Sequence, residues 1–150
     1  MGFPRLPVDD ELEIRSLFAR YGHLADAGDV AFGLLFTEDG SWTRLNSGNV
    51  GQGGTGLPPE TIRGRAAMVQ QMMVETVQRK FRGLVRHQMT DFYVEPGQSA
   101  DEAIGYSRAL ITDWRDGPGK ISMLATYHTR FVRTADGWLI QHIDCALLPA

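Results

Sequence analysis

At 150 residues, with 43% hydrophobic and 22% charged side chains, the chain suits one globular domain with its own core, which excludes a disordered or low-complexity protein. A net charge of −3, with arginines scattered rather than gathered in a stripe, excludes the electrostatic footprint of a nucleic-acid binder. No apolar run approaches the roughly 18 residues of a membrane helix, Met1 to Pro7 hold no apolar run long enough for a signal peptide, and the lone Cys145 has no disulfide partner, so a cytoplasmic location is expected, with neither nucleic acid nor membrane as partner.

Pro7 to Glu11 read as a helix entrance, with Asp9 and Asp10 placed to cap the first turn and acidic charge favoured there by the helix dipole. From Asp9 the apolar positions Leu12, Ile14, Leu17, Phe18, Tyr21, Leu24 and Ala25 recur at helical spacing, and Gly28 marks the end. A short helix capped by Asp29 is predicted up to about Phe36, then a turn over Thr37 to Gly40 and a strand from Ser41 to Leu45. Residues 46–59 are rich in glycine and carry few large side chains, so they read as a rim or lid segment; they lack the Lys-Ser/Thr end of a phosphate-binding loop. Helical spacing resumes near Pro59 or Glu60 through Ile62, Ala66, Val69, Met72 or Met73, and Val77, to about Lys80.

Beyond Gly83 the chain turns to strands. They run over Leu84 to Glu95, Ala100 to Trp114, Lys120 to Arg133 and Trp138 to Leu148, joined by turns such as Asp116-Gly117 and Asp136-Gly137. Helices followed by an antiparallel meander predict an α+β domain spanning residues 1–150, with helices on one face of a curved sheet. Apolar residues at both parities of the second and third of these strands, over Ala103 to Ile111 and Ser122 to Tyr127, call for a partner on the other face, hence a homo-oligomer.

Several side chains stand out as chemistry. His87 shares a strand face with Val85 and Met89, and is either a core histidine or a base facing a cavity. Tyr21 lies on the apolar helix face, as a core aromatic or as a phenol donating into a pocket. His128 and Arg130 share one parity, and Tyr127, Thr129 and Phe131 the other; one set faces a pocket or an interface. His23 reads as a helix-end residue, His142 as a strand residue of open facing, and the four histidines have no metal-ligand spacing, so no metal is expected.

Four segments in this order resemble the NTF2-like superfamily and, within it, the SnoaL-like polyketide cyclase and dehydratase branch. They are Tyr21 to Asp29, Leu35 to Trp42, Ile62 to Arg65, and Tyr127 to Arg133 with Asp136-Gly137-Trp138. The resemblance implies a cone-shaped α+β barrel holding a small apolar pocket, and a dimer or trimer, the trimer being commoner among lyase relatives. In scytalone dehydratase-like and dehydrochlorinase-like lyases an Asp after the first helix and a His on a central strand form a catalytic pair, and Asp26 and His87 fall on those positions. Trp42 resembles the pocket tryptophan of the dehydrochlorinase relatives. Ile143 stands where several relatives carry a last-strand arginine.

The combined reading is a cofactor-independent, dehydratase-like lyase acting on a small apolar cyclic substrate, with His87 and Asp26 catalytic. Tyr21, Trp42, Met89, His128 and Ile143 are its expected substrate contacts. An isomerase or polyketide cyclase using the same base, or a non-catalytic small-molecule binder, are the alternatives.

Overall fold

The computed structural model describes residues 2–46 and 58–148. The glycine-rich stretch expected as a rim or lid lies, over residues 47–57, outside the described residues.

Helix α1 spans Val8–Ala27 and buries Ile14, Phe18, Tyr21 and Ala25, the stripe that its spacing predicts. No side chain caps its start, contrary to the role expected of Asp9 and Asp10. Asp10 is used for tertiary contact instead: its carboxylate accepts from Arg133 Nη1 and Nη2 at 2.9 and 2.7 Å and from Trp138 Nε1 at 3.1 Å, with the guanidinium lying over the indole. These charge-assisted bonds tie the helix to the far end of the sheet. Gly28, in the left-handed region at φ +62°, turns the chain out of the helix, and Asp29 then caps a 3₁₀ turn, Val30–Leu35, by accepting from the Ala31 N–H at 2.8 Å.

The strands among the described residues form one six-stranded sheet: β1 (Phe36–Arg44), β2 (Glu60–Arg63), β3 (Val85–Pro96), β4 (Glu102–Asp113), β5 (Lys120–Thr134) and β6 (Gly137–Leu148). Their order is β2-β1-β6-β5-β4-β3, parallel between β1 and β6 and antiparallel elsewhere. The sheet is open, with β2 and β3 as its edges, and α1 packs on one face chiefly against β3.

Three local expectations change. The turn expected over Thr37 to Gly40 lies inside β1, because fully buried Phe36 already pairs with Ile140 before the register shifts ahead of Ser41. Glu60–Arg63 is an edge strand, with Ile62 opposite Trp42, rather than the start of a helix; pairing with β1 overrides a period too short to specify either state. The helix begins only after Gly64 (φ +85°), as the short α2 (Arg65–Met68), and continues as a π-helix over Val69–Lys80. Its buried positions are therefore Met68, Met73 and Val77, five and four residues apart as the wider π winding requires, and Ala66 is exposed.

Strand β3 carries apolar groups at both parities for a local reason. Asp91, at φ +54°, sits in a bulge between Thr90 and Tyr93 that shifts the inward parity, so Val85, His87 and Met89 share the inner face with Phe92 and Val94 beyond the bulge. Gly105 on β4 leaves room there: a Cβ would stand 2.6 Å from the Phe131 ring and 3.0 Å from Phe92. The outer face carries Tyr93 stacked on Tyr106, and Tyr106 against His128.

At the end of β4 the Asp113 carboxylate accepts from the Arg115 backbone N–H, Nε and Nη2 at 3.0, 2.9 and 2.7 Å, which holds its pKa down to about 2 from 3.8. A carboxylate depressed in the folded state contributes stability above its unfolded value of 3.8, and that contribution disappears as pH falls through about 2. Urea unfolding of the protein and its Asp113→Asn variant should therefore give a constant difference above the upper value and a shrinking one below it. A difference that stays constant down to the lower value would count against this linkage.

Candidate active site

Two neighbouring glycine and methionine positions bring the helix to the sheet. Gly22 of α1 faces Met89 of β3, where a Cβ would meet Met89 Cγ at 2.8 Å, so the bare backbone lets α1 settle close onto the strand. One turn further along the helix, Asp26 then reaches β3. Both of its oxygens accept from the His87 backbone N–H, at 2.9 and 3.1 Å, and Oδ1 lies 2.7 Å from His87 Nδ1. Each side chain is 17% exposed. Because an ionised carboxylate only accepts, Nδ1 carries the proton in this pair, and Nε2 is left as the basic nitrogen.

His87 is part of the wall of a cavity of about 310 Å³. The sheet contributes Trp42 and Arg44 from β1, Ile62 from β2, Val85 and His87 from β3, Ile111 from β4, Met123 and Tyr127 from β5, and Cys145 and Leu147 from β6. Tyr21 and Ala25 come from α1, and the π-helix closes one side with Gln71, Met72, Met73, Thr76 and Val77, followed by Phe81. The wall is chiefly aromatic, aliphatic and methionine, with a few polar groups, as small-molecule pockets usually are.

One set of polar groups in the wall centres on Tyr21. Its hydroxyl accepts from Trp42 Nε1 at 3.1 Å, and its ring packs against Tyr127 at 5.7 Å and Phe32 at 5.0 Å between centroids. Burial pushes both phenols well above the ordinary tyrosine range and the Cys145 thiol up to about 12, so all three are neutral at pH 7. They can donate hydrogen bonds; as bases or thiolate nucleophiles they are unsuited.

Of the residues singled out in the sequence, Asp26 and His87 meet, and His87, Tyr21 and Trp42 share the cavity wall. The other three expected contacts lie elsewhere. Met89 is spent under Gly22, packing the helix. Ile143 is fully buried in the core and is not part of the wall. His128 is exposed on the outer sheet face, because the opposite parity of β5, Tyr127, Thr129 and Phe131, turns inward. His142 also lies on that outer face, between Ser41 Oγ at 2.7 Å and Asp144 Oδ1 at 3.0 Å. The residue that sequence reasoning passed over is Arg44. It shares the parity of Trp42 on β1, a signal that was available, and burial lowers its pKa while Glu60 opposes the shift.

Residues 7–144 match the model of the SnoaL-like domain. The chain belongs to the SnoaL-like domain family. Solved structures with the same architecture include an NTF2-like protein with a cystatin-like fold from Novosphingobium aromaticivorans, 27% identical, with a TM-score of 0.78 over 95% of this chain and 84% of that one. Rv3472 from Mycobacterium tuberculosis, a protein of unknown function, is 25% identical, with a TM-score of 0.71 over 94% and 75% of the two chains. An NTF2-like family protein from Streptomyces avermitilis, named as a candidate dehydratase, is 17% identical, with a TM-score of 0.67 over 95% and 98%, and so shares the fold. No curated protein matches the chain. The SnoaL-like chain thus has NTF2-like architecture, helices on an open and mostly antiparallel sheet, and no described helix is long and apolar enough to cross a membrane.

Proposed function

We propose that this SnoaL-like chain is a cofactor-independent lyase of the dehydratase type, acting on a small, largely apolar ring compound. The observation that carries the reading is His87 in the wall of a chiefly apolar cavity, bonded through Nδ1 to Asp26. Asp26 orients the imidazole and fixes its tautomer, which is the orienting half of triad logic without a nucleophile. Nε2 takes a proton from a ring carbon, the C–H electron pair forms the new double bond, and the neighbouring C–O bond breaks. The departing hydroxyl takes the same proton back from the imidazolium and leaves as water, so the histidine returns to its starting state. In this reading neutral Tyr21 donates to a substrate oxygen, and Trp42 offers a ring-stacking face. The dehydratase designation of the structural neighbour from Streptomyces avermitilis agrees with this reading.

A homodimer or homotrimer packed through the outer sheet face completes the proposal; half-buried Ile104, Leu110 and Leu124 beside the Tyr93–Tyr106 stack supply its apolar strip. The activity is tested by incubating a panel of hydroxylated and halogenated cyclic compounds with the protein and with His87→Ala, and reading the products by mass spectrometry. Loss of water or hydrogen halide that depends on His87 supports a lyase. Rearrangement without change of mass assigns the base to an isomerase or cyclase, and binding without conversion of any compound assigns the cavity to a carrier.

A further inference from the structure

The cavity wall holds a buried charge that the base pair does not use. Arg44, at the end of β1, is 6% exposed and is the one arginine or lysine among the described residues lining the cavity. Its guanidinium lies over the Trp42 ring, 5.3 Å from the centroid, and that indole is itself held by Tyr21. Nη1 donates to the Pro58 carbonyl at 2.5 Å, and the carboxylate oxygen Glu60 Oε1 is 3.8 Å away on a side chain that is 40% exposed. That separation is too long for a hydrogen bond, so the buried cation is offset by a loose and partly exposed counter-charge.

Of the other titratable groups around the cavity, Tyr21, Tyr127 and Cys145 are neutral, Glu60 and Glu75 are acidic, and His87 is a cation only while it holds a second proton. A guanidinium desolvated against an indole is arranged to bind an oxygen that carries negative charge, and in a water-poor wall that interaction is at its strongest.

We propose that Arg44 is the oxyanion-binding residue of this cavity, and that the substrate ring carries a carbonyl oxygen which Arg44 holds while His87 takes the proton from the adjacent carbon. The inference rests on the base role of His87 and narrows the substrate to a ring ketone with a hydroxyl β to the carbonyl. The C–H electron pair moves into an enolate whose oxygen faces Arg44, and Arg44 keeps all its protons. The enolate collapses to the conjugated ketone as the β C–O bond breaks, and the leaving hydroxyl takes its proton from the imidazolium.

The probe is 4-nitrophenol, which imitates an enolate when ionised and reports its bound ionisation state by absorbance. The wild-type protein is expected to bind the phenolate about 10-fold more tightly than the phenol, a preference set by a close positive group. Arg44→Gln should abolish that preference, Glu60→Gln should enlarge it by removing a competing carboxylate, and His87→Gln should leave it in place. No binding, an equal affinity for both forms, or a preference that survives in Arg44→Gln overturns the assignment. So does a preference lost in His87→Gln, which moves the charge to the imidazolium. Should Arg44→Gln fail to fold by circular dichroism, the Glu60→Gln arm decides, since an unchanged preference there also overturns it. Because the probe is not turned over, failure of the lyase reading registers separately, in the product panel.

Discussion

Turnover of the proposed substrate class falls by about 10²–10⁴-fold in His87→Gln, the usual worth of a positioned base, while the unfolding transition stays near that of the wild-type protein. The two readouts diverge because of what glutamine keeps. The backbone N–H of His87 still donates to both oxygens of Asp26, and the glutamine amide can donate to the same carboxylate in place of Nδ1. The side chain is only 17% exposed, and glutamine, of similar size, keeps most of its packing. What disappears is the basic Nε2. Asp26→Asn is a poorer probe, because one carboxylate serves both the backbone and the ring, and an amide nitrogen facing the His87 N–H would set two donors against each other. A large loss of stability in His87→Gln with turnover retained would show that the histidine is structural.

Phe18→Ala is expected to have the largest effect on stability, a loss of about 3–5 kcal/mol, typical of emptying a buried phenylalanine site. Phe18 is 2% exposed and is the ring that the aromatic cluster shares: it stacks on Tyr21 at 5.5 Å and Phe92 at 5.0 Å, and meets Tyr127 and Phe131 edge-on at 6.2 and 6.1 Å. These neighbours come from α1, β3 and β5, so they cannot collapse into the vacancy together without moving helix against sheet. Urea unfolding, followed by circular dichroism, measures the loss. The same substitution should weaken binding of any cavity ligand, because Phe18 backs Tyr21, which holds Trp42. A loss below about 1 kcal/mol would mean that the core relaxes around the site and that this cluster does not hold helix to sheet.

The sequence by itself determined what depends on neighbours a few residues apart. Helix α1 is legible because its apolar positions repeat every three or four residues, the Gly28 stop because only a left-handed residue closes that turn, and the last three strands because turn pairs such as Asp136-Gly137 punctuate them. Asp26 and His87 were legible through resemblance, since neither residue type announces a partner 61 positions away. The tertiary structure decided everything that required one element to meet another. The bulge at Asp91 set which residues of β3 face inward, β1 drew Glu60–Arg63 into a strand, and the close approach at Gly22 spent Met89 on packing. Parity separates the two faces of β5 but cannot say which face α1 covers, so His128 lies outside and Tyr127 within. Arg44 shows the same limit: its parity sets it beside Trp42, but an arginine reads as solvated from its own strand, and its packing over Trp42 and beside Pro58 and Glu60 is what leaves it 6% exposed.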